Sequence, residues 1–92
     1  MATFLMFGKY SAQALKGISP KRTEETRVII AEHGGELTAG YAVAGGIDIV
    51  LIVELPDNAR AMAVSAALTK LTGVAFTTSP AVTLEEFDKE EV

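Results

Sequence analysis

Two segments of the chain are apolar on both alternations of a β-strand, and this feature limits the folds that the chain can adopt. Thr3 to Tyr10 (TFLMFGKY) and Ile47 to Leu55 (IDIVLIVEL) carry apolar side chains at both odd and even positions. Successive side chains on a strand point to opposite faces of the sheet, so such a strand needs cover on both faces. We therefore predict that these two segments are the central strands of one sheet.

Helix signals follow the first of these strands. Ser11 is an N-cap for a short helical turn that reaches Gly17. A second start signal, Ser19 followed by Pro20, begins a longer helix over Pro20 to His33, because proline is tolerated at the first helical position. Glycine closes helices readily in the left-handed conformation, so this helix is expected to end at the glycine pair that follows.

The rest of the chain supplies four more signals, in which strands and helices alternate. Glu36 to Val43 is predicted to be a strand. A glycine turn joins it to the strand over Ile47 to Leu55, and the two strands form an antiparallel hairpin. A helix then runs up to Gly73, with apolar residues spaced three and four apart. Val74 to about Ser79 is predicted as an edge strand that ends at proline, and a capping box places a last helix at about Leu84 to Glu90.

The element order is βαββαβ with a short C-terminal helix, which predicts an α+β fold of the ferredoxin-like kind. Its four-stranded antiparallel sheet has the order 4-1-3-2, so that the two most apolar strands are the central ones. We expect residues 1–92 to form a single domain, because 92 residues are enough for one core. Helices then cover only one sheet face, and a second copy of the chain is expected on the other, as a homodimer or higher oligomer.

Composition excludes several classes of partner and chemistry. Eight Lys and Arg residues against twelve Asp and Glu give a net charge of −4 without a basic cluster, so nucleic acid is not an expected partner. The chain has no cysteine, which excludes a disulfide framework, a thiolate metal site and a cysteine nucleophile. No apolar stretch approaches the ~20 residues of a membrane span, and no secretory signal is evident, so a cytoplasmic location is expected by default.

Several short motifs stand in order along these elements: Lys9-Tyr10-Ser11, Ser19-Pro20-Lys21-Arg22, Gly34-Gly35, Gly46-Ile47-Asp48 and Glu54-Leu55-Pro56-Asp57. Together they resemble the GYD domain family over nearly the whole chain. Ile47 stands where that family has the tyrosine of its Gly-Tyr-Asp triplet. The resemblance implies a ferredoxin-like domain similar to the dimeric α/β-barrel proteins, in a family whose biochemical role is largely uncharacterised.

Two charged residues are candidate ligand contacts. Arg22 shares a helix face with Thr26, and its planar guanidinium could bind a carboxylate ligand through two hydrogen bonds. The alternatives for Arg22 are an ion pair with Asp48 or Glu54, or a side chain that extends to solvent. Asp48 is either a ligand contact or general base, or a residue that satisfies backbone donors near the glycine turn.

Tyr10 and His33 complete the predicted ligand-binding set. Tyr10 brings a hydroxyl to a strand, with core or interface packing as the alternative. His33 is the only histidine and lies at a helix C-terminus, where a structural or exposed role is the alternative. Because His33 lacks a companion histidine or cysteine, no metal site is predicted, and no cofactor is predicted either. The catalytic residues, if any, are unknown.

Three functions are compatible with these features. The first is a homo-oligomer that binds a small molecule between sheet and helices, beside Tyr10, Arg22 and Asp48. The second is an assembly or interaction module without chemistry. The third is a cofactor-free isomerase or oxygenase of the dimeric α/β-barrel type, with Asp48 or His33 as base, which rests on analogy of fold. Whether the chain is an enzyme stays open at this point.

Overall fold

The computed structural model describes residues 1–90, so Glu91 and Val92, the last two residues of the predicted domain, lie outside the described residues. The element order confirms the predicted one: β1 (Ala2–Lys9), α1 (Ala12–Lys16), α2 (Pro20–Glu32), β2 (Glu36–Ala42), β3 (Ile49–Leu55), α3 (Asn58–Thr72), β4 (Ala75–Ala81) and α4 (Leu84–Lys89). None of the helices in residues 1–90 combines the length and the apolarity needed to cross a bilayer.

The four strands form one antiparallel sheet in the order β2-β3-β1-β4. This is the predicted order read from the other edge, and it confirms the ferredoxin-like α+β fold. The central strands β1 and β3 are the two segments that are apolar on both alternations. They pair over seven positions, from Ala2 opposite Leu55 to Gly8 opposite Ile49.

One face of the sheet packs against α2 and α3 to form the core. Phe4 and Met6 of β1 and Val53 of β3 are buried on this face. They cluster with Ile30 of α2 and with α3 residues that include Leu68. Helix packing therefore explains one of the two apolar alternations in β1 and β3.

The other face of the sheet carries a patch that we call the outer face, made of Leu5 and Phe7 of β1 and Val50 and Ile52 of β3. Strand pairing sets Leu5 opposite Ile52 and Phe7 opposite Val50, which places all four side chains together. All four stay partly exposed, and none belongs to the buried core cluster. The second apolar alternation is thus uncovered in the isolated chain.

Two strand ends differ from the sequence prediction by two residues, and the others differ by at most one. β4 continues through Pro80 to Ala81 instead of ending at Pro80. It can do so because an edge strand has no neighbour on one side, and a proline there need not donate to a ladder. β3 begins at Ile49, two residues later than predicted, since the turn extends to Asp48, whose carbonyl accepts a hydrogen bond from the Val43 N–H at 2.9 Å.

Candidate ligand-binding site

A cavity of about 290 Å³ lies between the first turns of α2 and one end of the sheet. Its roof is the sheet-facing side of α2, from Ser19 to Arg27, and its end wall includes Tyr10 and Thr72. Its floor is apolar and comes from three strands and the residue before β4: Leu37, Ile49, Leu51, Val74 and Phe76, with the backbone of Gly40. An apolar enclosure with a few polar groups at its walls is typical of small-molecule sites.

Two glycines shape the floor of this cavity. A Cβ atom at the buried Gly8 would lie 2.6 Å from Ile49 Cγ2 and 2.8 Å from Phe76 Cε1, so only glycine lets these side chains rest on the β1 backbone. A Cβ atom at Gly40 would lie 3.2 Å from Leu51 Cδ2, on the cavity side of β2. Side chains at these two positions would fill or displace the space that the cavity occupies.

Arg22 is held at the end of the cavity by contacts from two directions. The Ser19 hydroxyl accepts a hydrogen bond from the Arg22 N–H at 3.1 Å, which caps α2 and fixes Arg22 in its first turn. The guanidinium donates from Nη1 to the Ala14 carbonyl at 2.6 Å and lies 5.8 Å from the centre of the Tyr10 ring. A Cβ atom at Gly17 would come within 2.8 Å of Nη1, so glycine makes room for the side chain.

The charged residues that line the cavity are all of one sign. Arg22 and Arg27 line it, and none of its lining residues is an aspartate or a glutamate. The hydroxyl of Thr26 is engaged with the Arg22 carbonyl at 2.9 Å, and the guanidinium of Arg22 has further N–H donors beyond the one on Ala14. The cavity therefore offers positive charge and hydrogen-bond donors above an apolar floor.

The structure brings two of the four predicted ligand-binding residues together at this cavity, Tyr10 and Arg22. Asp48 lies next to Tyr10 but outside the cavity lining, and its carboxylate accepts a hydrogen bond from the Tyr10 N–H at 2.8 Å. Arg22 donates to a backbone carbonyl and forms no ion pair with Asp48 or Glu54. The Glu54 carboxylate instead accepts a hydrogen bond from the Thr3 hydroxyl at 2.6 Å. Asp48 thus satisfies a backbone donor at the end of β1.

His33 lies at the opposite end of α2 from Arg22. Its ring nitrogen Nδ1 is 2.8 Å from the Ile29 carbonyl, and its own carbonyl accepts a hydrogen bond from Arg60 at 3.3 Å. His33 is therefore separated from the cavity by the length of the helix. Residues 1–90 contain no cluster of three or more His, Cys, Asp or Glu side chains arranged to hold a metal ion.

Sequence reasoning did not identify Arg27 and Gly40 as cavity residues. Arg27 is exposed and lies outside the helix stripe that Arg22 shares with Thr26, so periodicity alone gave no reason to select it. Gly40 carried a usable signal, because an isolated glycine inside a strand often marks a place where something approaches the backbone closely.

A second, larger groove of about 520 Å³ lies on the other side of Arg22. It is lined mainly by polar residues, among them the exposed Gln13 and Lys70 and the half-buried Glu25. Binding sites for small molecules combine enclosure with apolar surface, and the groove offers less of both. The cavity beneath α2 is therefore the better candidate site, although its volume is smaller than that of the groove.

Two solved structures share the fold. The leucine response regulatory protein of Mycobacterium tuberculosis aligns with a TM-score of 0.59 and 11% identity, over 89% of this chain and 51% of its own. An AsnC family transcriptional regulator from Agrobacterium tumefaciens aligns with a TM-score of 0.59 and 17% identity, over 89% of this chain and 50% of its own. The chain thus spans about half the length of each, and identities this low show the fold alone.

Among curated protein sequences, none matches the chain. The family model described as "GYD domain" matches residues 4–90. This range contains every motif on which the resemblance was based, including Gly46-Ile47-Asp48 with isoleucine at its centre. The resemblance is confirmed over nearly the whole sequence, and the chain belongs to the GYD domain family.

Proposed function

We propose that this chain is a homo-oligomeric domain that binds a small molecule in the cavity between α2 and the sheet. The observation that carries the proposal is the cavity itself, with Tyr10 and Arg22 at its end and an apolar floor beneath them. A packed core at this position would have left no room for a ligand.

The volume of the cavity indicates the size of the ligand. A cavity of ~150 Å³ is enough to hold benzene in an engineered protein core. The cavity here, at about 290 Å³, is roughly twice as large. It therefore suits a molecule with one ring or one branched chain and a short polar end.

Self-association is supported by the outer face. Its four apolar side chains, Leu5, Phe7, Val50 and Ile52, lie together on a surface that no helix of residues 1–90 buries. A second copy of the same face would cover it with twofold symmetry, since an isologous interface uses the same patch on both subunits. Burial of this surface adds stability that a small domain needs.

The main alternative is an assembly module without a ligand, and the outer face favours it as well. The structure gives less support to an isomerase or oxygenase, because neither of the two candidate bases, Asp48 and His33, lines the cavity. The two solved structures are named as regulatory proteins, but likeness in fold is compatible with many functions, and we take no function from them.

A cavity-filling variant tests the proposal. Gly40→Val adds a side chain on the cavity side of β2, against the flexible end of Leu51. Thr38→Val is the matched control, because it places the same residue at an exposed position two residues earlier in β2. Both variants place valine, a β-branched residue that strands favour, in β2.

The readout is a fragment screen by NMR with a mixed library of neutral, anionic and cationic compounds. We expect fragments that shift the amide signals of Leu51, Thr26 and Phe76 in the native chain and in Thr38→Val. The same fragments should leave these signals unchanged in Gly40→Val. A library that shifts none of these signals in the native chain refutes ligand binding and leaves the assembly module as the better account.

A further inference from the structure

The sign of the charge at the cavity runs against the sign of the whole chain. The sequence carries twelve acidic residues and eight basic ones, so a random set of lining residues would include more carboxylates than arginines and lysines. The cavity instead has two arginines and no carboxylate among its lining residues. Such a local reversal is what an anionic ligand requires, because the field of the acidic surface would otherwise repel it.

The floor of the cavity restricts the ligand further. Leu37, Leu51 and Val74 are buried apolar side chains beneath the two arginines, so one part of the ligand must be apolar and large enough to cover them. A guanidinium binds a carboxylate through two parallel hydrogen bonds and is well suited to this task. An anionic head at the arginines and an apolar body on the floor describe a small monocarboxylic acid.

An amino group on the same ligand would have no ionic partner in the cavity. Its positive charge would lie beside the half-buried Arg22, where the repulsion between like charges is screened less than in bulk water, and near the exposed Arg27. Asp48 is the carboxylate next to Tyr10, but it lies outside the lining and its oxygen already accepts the Tyr10 N–H. Burial of an ammonium group without an anion carries a large desolvation cost.

We infer that the cavity binds monocarboxylic acids with one aromatic or branched apolar group and without an amino group. This inference rests on the proposed function of the cavity and specifies its ligand class. Arg22 supplies the fixed guanidinium beside the Tyr10 ring, and Arg27 supplies a second, exposed one at the rim. The acid group lies at the arginines and the apolar group lies over the floor.

Three probes of matched size and shape test the class: 3-phenylpropionate, its neutral amide 3-phenylpropanamide, and phenylalanine. We measure their dissociation constants by NMR titration of the cavity amides in the native chain. The acid is expected to bind at least about tenfold more tightly than either of the other two, a factor that corresponds to ~1.4 kcal/mol. Equal binding of the amide or of the amino acid would overturn the assignment of the ligand class.

Arginine variants locate the effect. Arg27→Gln should weaken binding of 3-phenylpropionate by about two- to fivefold, because Arg27 is exposed, and leave binding of the amide unchanged. Arg22→Gln should also weaken binding of the acid and not of the amide if the variant folds, but it removes the hydrogen bond to the Ala14 carbonyl as well. Arg60→Gln is the matched control, because it makes the same charge change at the His33 end of α2, away from the cavity.

The outcomes separate this inference from the proposed function. If the amide binds as well as the acid and Arg27→Gln changes neither, the cavity binds small molecules but the ligand class is wrong. If the mixed library includes binders of the cavity and none is an acid, the class is wrong in the same way. If neither the library nor the three probes shifts the cavity signals, both the inference and the proposed function fail.

Discussion

Substitution of Ile52 by glutamate puts a charge at the centre of the outer face. Strand pairing places Ile52 between Leu5 of β1 and Ala39 of β2, so its side chain has neighbours on both sides. It points away from the core cluster, and Leu51 and Val53 on either side of it stay buried against the helices. The variant should therefore fold as the native chain does and lose only the contact between copies.

The size of the effect follows from the symmetry of the proposed interface. Complete burial of an isoleucine side chain is worth ~1.5–3 kcal/mol, and a twofold dimer contains the substitution twice. Because Ile52 is already partly buried in a single copy, the contact adds only the remaining fraction, about 1–2 kcal/mol per dimer, and burying two carboxylates costs several kcal/mol more. At ~1.4 kcal/mol for each factor of ten, the dissociation constant should rise at least about 100-fold.

Sedimentation velocity over a range of protein concentrations measures this change. Met62→Glu is the matched control, because Met62 is an apolar residue of α3 with 73% of its surface exposed on the helix side. We expect the native chain and Met62→Glu to sediment as the same oligomer and Ile52→Glu to sediment as a monomer at micromolar concentration. The reasoning is refuted if Ile52→Glu keeps the native size, or if the native chain is already a monomer at the highest concentration reached.

Two further substitutions test single hydrogen-bonding groups. The hydroxyl of Thr78 is buried without a hydrogen-bond partner among residues 1–90. Thr78→Val should therefore stabilise the domain by about 1 kcal/mol and raise Tm by ~4–8 °C in thermal unfolding. The control is Thr77→Val, which makes the same change at an exposed position. A lower Tm would show that the hydroxyl has a partner, such as a bound water. Asp48→Ala should lower the free energy of unfolding, measured in urea, by ~1–3 kcal/mol, because it leaves the Tyr10 N–H without its acceptor. Asp48→Asn should lower it less, because an amide oxygen can still accept this hydrogen bond. Equal costs for the two would contradict this account of Asp48.

The fold was predictable because its signals are local in the sequence. The two-sided apolar pattern of β1 and β3 identified the central strands, and capping residues such as Ser19 and Thr83 marked helix starts. Both hydroxyls accept the expected backbone hydrogen bond, at 3.1 Å in each case. The strand order then followed from the requirement that the most apolar strands lie in the middle of the sheet.

The site was predictable only in part, because it depends on contacts between residues far apart in the chain. Helical periodicity placed Arg22 on the sheet side of α2, and Tyr10 was predicted to lie beside the same pocket. Periodicity could not show that Gly17 leaves room for the guanidinium, or that the Ala14 carbonyl accepts its hydrogen bond. It also could not assign the carboxylate of Asp48, which depends on how the turn before β3 meets the end of β1.

The alternation of β3 separates the two proposed activities within one strand. Ile49 and Leu51 form part of the cavity floor, whereas Val50 and Ile52 point to the outer face. A substitution at Ile49 or Leu51 therefore changes the ligand site, and one at Val50 or Ile52 changes the surface between copies. Since successive side chains point to opposite sides of the sheet, Ile52→Glu can abolish self-association while the floor of the cavity keeps its residues. Ligand binding that survives in the monomeric variant would show that one copy of the chain forms the whole site.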